Sequence, residues 1–129
     1  MSQELKKILF AEDDPLLIDI YTIKLREAGF KVEVAKDGKE VLRKLETEEP
    51  DLLILDVVLP DIDGWEILKI VKNKLKLTTL KIIIFSNLGQ RDEVEKGLKL
   101  GAIRYLIKSH YTPNQIVEEI KKIFNEQSH

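Results

Sequence analysis

Acidic side chains, a serine and a lysine stand where four short apolar runs of the sequence end. These positions are Glu12, Asp13, Asp14, Asp56, Ser86 and Lys108. Carboxylates held close together raise one another's pKa or bind a cation, and their hard oxygen atoms suit Mg²⁺. A nearby lysine and hydroxyl add groups that bind phosphate. Gathered in one place, these residues indicate a site that handles phosphoryl groups.

Asp56 is the best candidate nucleophile of this set. No serine, cysteine or histidine at the ends of the runs looks like a paired nucleophile and base, which leaves a carboxylate. Asp56 directly follows four apolar residues, and a carboxylate beside a buried strand is costly unless it has a partner. Asp13 and Asp14 alone would be ordinary helix caps. Their combination with the other residues favours a functional site.

These residues need a scaffold that brings them together, and the apolar pattern predicts one. Five apolar runs, at residues 8–11, 32–35, 52–55, 82–85 and 103–107, indicate strands. The first, third and fourth runs are continuously apolar, which is typical of strands covered on both faces. Five stretches with helical periodicity follow them, at residues 15–28, 39–47, 65–73, 90–100 and 113–124.

The first helical stretch begins and repeats clearly. Asp14 before Pro15 is typical of an N-cap followed by proline at the first helical position. Leu16, Ile20 and Ile23 recur at i, i+4 and i+7, which predicts an amphipathic helix with these three residues on its apolar face.

Strand followed by helix, five times over, predicts an α/β domain with a doubly wound, five-stranded parallel sheet. Helical crossovers require parallel strands, and right-handed crossovers place helices on both faces of the sheet. In such sheets the functional crevice lies beyond the carboxyl ends of the strands. The polar residues that end the runs are therefore expected to meet at one edge of the sheet.

Composition excludes several classes of protein. The 129 residues fit one domain, and the absence of cysteine excludes thiolate metal sites, disulfide scaffolds and thiol catalysis. Lys plus Arg total 21 against 23 Asp plus Glu, which argues against binding nucleic acid or membrane through charge alone. The longest apolar runs have four residues. Neither a membrane span nor a signal peptide is expected, so the predicted location is the cytoplasm.

Four motifs together resemble one known family. They are the apolar run with its acidic pair at residues 8–13 and the segments at residues 56–64, 84–86 and 101–108. Over about residues 7–124 the chain resembles a response-regulator receiver domain of two-component signalling, of the chemotaxis-regulator type. The resemblance implies a flavodoxin-like fold with five helices and strand order 2-1-3-4-5, formed as a single receiver domain by residues 1–129.

The resemblance also implies roles for the acidic residues. Asp56 would be the phosphoacceptor. Asp13 would bind Mg²⁺ directly, and Glu12 would act mainly through water. The backbone carbonyl of Val58 would complete the protein ligands of the ion.

Further roles follow from the same resemblance. Ser86 and Lys108 would bind the phosphoryl oxygens, and Tyr105 would be the aromatic switch that turns inward when Ser86 moves. The side chains of Val58 and Leu88 would flank the phosphoryl group. Both are apolar and cannot orient an attacking water, so slow self-dephosphorylation is expected.

The implied partners are proteins. A sensor histidine kinase or a phosphotransfer protein would supply the phosphoryl group, and a downstream protein would bind a face formed by the fourth helix, fifth strand and fifth helix. No output domain is encoded, so the chain is expected to act through another protein or to be a piece of a longer one. Direct contact with nucleic acid or membrane is not expected. Turnover of an external substrate is not expected either, although the domain would promote its own phosphorylation and dephosphorylation.

Two positions depart from the pattern of the family. Ser109 follows Lys108, where the family usually has a proline after a cis bond, and Asn87 replaces a small residue after the switch hydroxyl. A cis bond before a residue other than proline costs about 2.5–4 kcal/mol. A trans bond is therefore predicted, with the loop rearranged to keep Lys108 aimed at Asp56.

Three other kinds of protein share parts of this pattern: an interaction module, an electron carrier and a phosphatase. A receiver-like interaction module that accepts no phosphate is mildly favoured by Ser109 and Asn87, and opposed by the complete set of acidic, serine and lysine residues. An FMN-binding electron carrier needs an anion-binding loop where the acidic residues 12–14 would repel phosphate. A phosphatase would need an Asp-x-Asp pair, but two valines follow Asp56.

The segment at residues 61–64 invites a calcium-loop interpretation. Such a loop needs a bidentate glutamate at its twelfth position, where this sequence has Lys72. A turn followed by a helix capped by Asp63 is predicted instead.

Overall fold

The structure is a computed structural model that describes residues 5–126. Residues 1–4 and 127–129, the two ends of the predicted domain, lie outside the described part. Within residues 5–126, five strands, β1 to β5, span Lys7–Ala11, Lys31–Ala35, Leu52–Leu55, Lys81–Ser86 and Arg104–Ile107. Five α-helices, α1 to α5, span Pro15–Glu27, Gly38–Glu48, Gly64–Ile70, Arg91–Lys99 and Pro113–Glu126.

The five strands form one parallel sheet with the order β2-β1-β3-β4-β5. This confirms the doubly wound α/β fold and the strand order that were predicted. β2 lies on one side of β1 and β3 on the other, so the strand order reverses between β1 and β3. Ala11 lies opposite Leu55, and Glu12 and Asp56 therefore leave the sheet side by side.

The core consists of two apolar layers, one on each face of the sheet. Successive residues of a strand point to opposite faces. Leu9 and Ala11 therefore pack on the side of α2 and α3, and Ile8 and Phe10 pack on the side of α1 and α5. This burial on both faces explains why the central strands are apolar throughout. None of the helices in the described residues combines the length and apolar character that crossing a membrane requires.

The apolar stripe predicted for α1 is wrong at two of its three positions, since only Ile20 packs against the core. Leu16 and Ile23 are 66% and 58% exposed, and the buried residues of α1 are Tyr21 and Leu25. The helix carries a second apolar stripe, at positions 17, 21 and 25, and this stripe faces the sheet. It is favoured because the ring of Tyr21 packs edge-on against two phenylalanine rings of β1 and β4.

Two aspartates of the loop before α3 accept hydrogen bonds from backbone N–H groups in the first turns of α2 and α3. Asp63 accepts a hydrogen bond from the N–H of Glu66 at 2.9 Å, and Asp61 accepts one from the N–H of Gly38 at 2.8 Å, at the start of α2. Both carboxylates are therefore occupied by backbone donors. The prediction of a turn with a helix cap, rather than a calcium loop, is confirmed.

Beyond α3 the chain continues in a different helical form. A π-helical turn spans Val71–Leu75, and Lys76 ends it in the left-handed region with φ of 51°. The sequence pattern predicts that the third helix continues to residue 73. It does not predict that the α-helix changes into a π-helical turn at Val71. The loop that follows leads to β4 past the amino edge of the sheet.

β2 is an edge strand whose outward carbonyls are not left open. Arg26 of α1 donates a hydrogen bond from Nη2 to the carbonyl of Val32 at 3.1 Å. Lys44 of α2 donates one from Nζ to the carbonyl of Val34 at 2.6 Å. The two helices that flank β2 thus each supply a cation to its free edge.

Candidate functional site

The predicted site residues, except Tyr105, meet in one cavity at the carboxyl edge of the sheet. The cavity has a volume of about 280 Å³. It is lined by Glu12, Asp13, Asp14, Asp56, Val58, Ser86, Asn87, Leu88 and Lys108. The parallel register brings them together, because Ser86 ends β4 opposite Ile107, the last residue of β5.

Lys108 forms the central ion pairs of this cavity. Its Nζ lies 2.7 Å from Oδ2 of Asp56 and 2.6 Å from Oε1 of Glu12. The contact with Asp56 is a hydrogen bond. The contact with Oε1 of Glu12 is a close ion pair whose angles are poor for a hydrogen bond. One cation therefore pairs with two carboxylates that are 1% and 6% exposed, and one negative charge remains uncompensated.

The pKa values of this pair reflect burial and mutual attraction. Burial is the largest influence on Glu12 and raises its pKa above the ordinary value, against the hydrogen bonds that lower it. Burial alone would lower the pKa of Lys108, but the contacts with Asp56 and Glu12 outweigh it and raise that pKa. Lys108 therefore carries its charge throughout the physiological range.

Three carboxylates are placed to hold a small cation. Glu12, Asp13 and Asp56 each offer one oxygen, and these oxygens lie within 4.8 Å of one another. Glu12 and Asp56 are buried, whereas Asp13 is exposed and reaches the cavity from the solvent side. A hard cation fits this set, because all the donors are carboxylate oxygens and Lys108 offsets only one of their negative charges. Asp14 has a different task, since its Oδ1 accepts the N–H of Leu16 at 2.9 Å and caps α1, as predicted.

The segment after β3 contacts both the side chain and the backbone of Asp56. Oδ1 of Asp56 accepts a hydrogen bond from the N–H of Val58 at 3.1 Å, and the side chain of Val58 is 60% exposed at the rim of the cavity. Gly64 packs so closely that a Cβ there would lie 2.7 Å from the carbonyl oxygen of Asp56. This close approach explains why a glycine stands eight residues after Asp56.

A chain of hydrogen bonds links Ser86 to Tyr105. Ser86 is fully buried, and its Oγ accepts a hydrogen bond from the N–H of Leu88 at 3.3 Å. The hydroxyl of Tyr105 donates to the carbonyl of the same Leu88. Burial is the main reason that the pKa of Tyr105 is raised to about 12. The phenol therefore remains a donor, and the loop at Leu88 connects Ser86 to the ring of Tyr105 on β5.

The bond between Lys108 and Ser109 is trans, as predicted, since the described residues contain no cis peptide bond. A 3-10 turn at Lys108–His110 leads out of β5. The ammonium of Lys108 nevertheless reaches Asp56, so the missing proline does not displace it.

Two features of the site were not predicted. Lys108 contacts Glu12 as closely as it contacts Asp56, and its ammonium lies 5.6 Å from the ring centre of Phe85. The order of the strands would have suggested that Glu12 and Asp56 are neighbours. The sequence does not indicate that the side chain of Lys108, which follows β5, reaches as far as Glu12 at the end of β1.

Comparison with known proteins gives consistent matches. The family model for the response regulator receiver domain matches residues 8–121. The alkaline phosphatase synthesis transcriptional regulatory protein PhoP of Bacillus subtilis (strain 168) is 37% identical over 120 residues, which are 92% of this chain and 48% of that protein. The chain thus spans about half the length of the curated relatives that it matches.

Two solved structures extend the comparison to the fold. The receiver domain of the Francisella response regulator 1452 has a TM-score of 0.86 and 30% identity, and the match covers 95% of this chain and 98% of that one. A CheY-like receiver domain protein from Methanospirillum hungatei JF-1 has a TM-score of 0.85 and 32% identity, covering 97% and 98%. Both neighbours match the described structure over nearly its whole length.

The buried ion pairs predict how stability depends on pH in metal-free solution. Replacement of Lys108 by Met leaves Glu12 and Asp56 without a cation and should lower the free energy of unfolding by about 2–4 kcal/mol at pH 7–9. The deficit should shrink towards pH 4 as Glu12, whose pKa is raised by burial, takes up a proton. It should also shrink as the pH rises through the raised pKa of Lys108, because the wild type then loses the same charge.

Urea melts across this pH range, with Lys36→Met as the control, test the prediction. Lys36 is exposed and should tolerate the change within about 0.5 kcal/mol. A deficit for Lys108→Met that is constant with pH would mean that lost packing, and not the charge, is responsible.

Asp13 and Asp14 are adjacent but should respond oppositely to alanine. Without metal, Asp13→Ala removes a like charge beside Glu12 and Asp56, and the free energy of unfolding should rise by about 1 kcal/mol. Asp14→Ala removes the cap of α1 and should cost about 1 kcal/mol. Mg²⁺ should stabilise Asp14→Ala and not Asp13→Ala. Denaturant melts with and without Mg²⁺ measure both effects, and a destabilised metal-free Asp13→Ala would make Asp13 a structural residue.

Proposed function

Because this chain belongs to the response regulator receiver domain family of two-component signalling, as its motifs predict, we propose that Asp56 accepts a phosphoryl group from a sensor histidine kinase or a phosphotransfer protein. The observation that carries this proposal is the surroundings of Asp56. It is a buried carboxylate at the edge of the sheet, paired with Lys108 at 2.7 Å, and it opens into a cavity shared with Asp13 and Ser86.

In the transfer step an oxygen of Asp56 attacks the phosphorus of the phosphohistidine in line. An O–P bond forms as the N–P bond breaks, and the imidazole leaves with that electron pair. The ammonium of Lys108 already lies beside the carboxylate, so it can follow the negative charge onto the phosphoryl oxygens. Water later hydrolyses the acyl phosphate and restores Asp56, and turnover of an external substrate is not part of the proposal.

We propose Mg²⁺ as the cation of this site, held by Glu12, Asp13 and Asp56 with the backbone carbonyl of Val58 as a further ligand. When bound, the ion supplies positive charge that offsets the phosphoryl oxygens. The support is the group of three carboxylate oxygens, whose negative charge Lys108 offsets only in part.

The signal leaves the site through Ser86 and Tyr105. A phosphoryl group on Asp56 offers Ser86 a new partner, which competes with the N–H of Leu88. Because Tyr105 donates to the carbonyl of Leu88, that competition shifts the population of the loop and of the ring together. The face formed by α4, β5 and α5 is therefore the proposed surface for a downstream protein.

The proposal covers a single receiver domain over residues 1–129, with its core at about residues 7–124. Since the chain spans about half of its curated relatives, the identity of the kinase and the output belong to the proposal as well. A cytoplasmic location is proposed from the family and the kinase partner. The alternative of a module that accepts no phosphate is not favoured, because the complete set of acidic, serine and lysine residues meets in one cavity.

Labelling with a small acyl phosphate and Mg²⁺ tests the acceptor. The wild type should gain one phosphoryl group by intact mass, and Asp56→Asn should gain none. Asp19→Asn is the matched control, since Asp19 is an exposed aspartate of α1, and it should be labelled like the wild type. Equal labelling of Asp56→Asn would refute the assignment, and an unlabelled wild type would support the phosphorylation-independent module.

The lifetime of the phosphorylated state should be long, because Val58 and Leu88 line the cavity with apolar side chains. Neither can orient an attacking water, and one lost contact of that kind costs on the order of 1–3 kcal/mol, or about ten- to a hundredfold in rate. Val58→Asn and Leu88→Glu should each dephosphorylate faster by a factor in this range.

The decay of the labelled protein by intact mass gives these rates. Leu98→Glu provides the control, because Leu98 is a partly exposed leucine of α4 outside the cavity, and its decay should match that of the wild type. If both cavity variants also decay at the wild-type rate, another feature sets the lifetime.

A further inference from the structure

Basic charge is concentrated in one part of this slightly acidic chain. Residues 67–91 contain no aspartate or glutamate, although the whole chain has a net charge of -2. The basic residues of this stretch are Lys69, Lys72, Lys74, Lys76, Lys81 and Arg91. The first four are exposed, and none of these four takes part in an ion pair within residues 5–126. Their charge is therefore available to a ligand.

An apolar groove lies among these lysines. It consists of two adjoining cavities of about 380 and 330 Å³ that share Leu100, at the end of α4. The larger cavity has a floor of aliphatic side chains, among them Val71, Leu77 and Leu80, and lysines 72 and 76 line it as well. It lies where α3 changes into the π-helical turn, next to the start of β4, and so at the edge of the sheet opposite the carboxylate cavity.

The smaller cavity continues the basic rim. It is lined by Lys69, Lys96 and Lys99, and also by Asp92 and Glu95 of α4. Lysines therefore outnumber acidic residues around the combined groove by five to two. An apolar floor with a cationic rim matches a ligand that has apolar side chains flanked by carboxylates.

We propose that this groove, which has no part in the function proposed above, docks an acidic segment of a partner protein that carries aliphatic side chains. The aliphatic side chains would occupy the floor at Leu77 and Leu80, and the carboxylates would pair with Lys72 and Lys76. A nucleic acid matches the groove less well, because bases bind to exposed aromatic rings. The nearby ring of Trp65 is already covered by the ammonium of Lys96 at 4.5 Å from its centre.

A labelled model peptide tests the proposal on the whole chain. The probe has two leucines four residues apart with glutamates on both sides, and its fluorescence anisotropy reports binding. A second peptide replaces the leucines with serine, and a third replaces the glutamates with lysine. The chain's single tryptophan, Trp65, gives an independent reading, since it lies beside the groove.

The protein variants separate the groove from general charge. Lys72→Glu combined with Lys76→Glu reverses two exposed positions of the rim, and Lys31→Glu combined with Lys36→Glu reverses two exposed positions near β2. The rim variant should bind the probe at least about tenfold more weakly, and the control should bind within about twofold of the wild type. Asp56→Asn should bind like the wild type, so a failure of the phosphoacceptor assignment would not alter this result.

The peptides carry the second half of the test. The serine and lysine peptides should each bind at least about tenfold more weakly than the probe, because one lacks the apolar part and the other the charge. Binding of the probe should also weaken with added salt. The proposal is overturned if the wild type does not bind the probe, if the serine peptide binds equally well, if both double variants weaken binding alike, or if a single-stranded oligonucleotide binds the groove more tightly than the probe.

Discussion

The ammonium of Lys108 is the contact on which the functional edge of this protein depends. Two apolar strands end in carboxylates that the fold buries, and each buried ion without a partner costs several kcal/mol, on the order of the whole stability of a small domain. Lys108 contacts both Glu12 and Asp56, so the buried set retains a single excess negative charge. The same excess negative charge suits the binding of a cation, so one arrangement both lowers the cost of burying the carboxylates and leaves a candidate cation site.

The sheet provides the geometry that this charge balance needs. The two carboxylates and the lysine follow β1, β3 and β5, and they are far apart in the sequence. Only the parallel register brings their ends to one edge. The sheet therefore positions the reacting groups, whereas the short loop at Leu88 links Ser86 to Tyr105 by hydrogen bonds. The strands that position the carboxylates and the loop that links Ser86 to Tyr105 are thus different parts of the chain.

The sequence predicts well wherever a local pattern determines the outcome. Continuous apolar runs identify the buried strands, and the rule for parallel sheets then places Glu12, Asp56 and Ser86 together without further information. It predicts poorly where two local solutions compete. α1 has two apolar stripes, and only the packing of Tyr21 against the sheet decides between them. The reach of Lys108 to Glu12 and the π-helical turn after α3 depend in the same way on tertiary contacts that no single segment encodes.

The occupied edge of β2 has a consequence for how the protein behaves among copies of itself. An open edge strand is a template on which another chain can add a strand, and this is how many β-containing proteins aggregate. At β2 the carbonyls of Val32 and Val34 are already bound by Arg26 and Lys44. An incoming strand would have to break both hydrogen bonds and displace two cationic side chains. The two helices that flank β2 therefore also protect this edge of the sheet from pairing with a further strand.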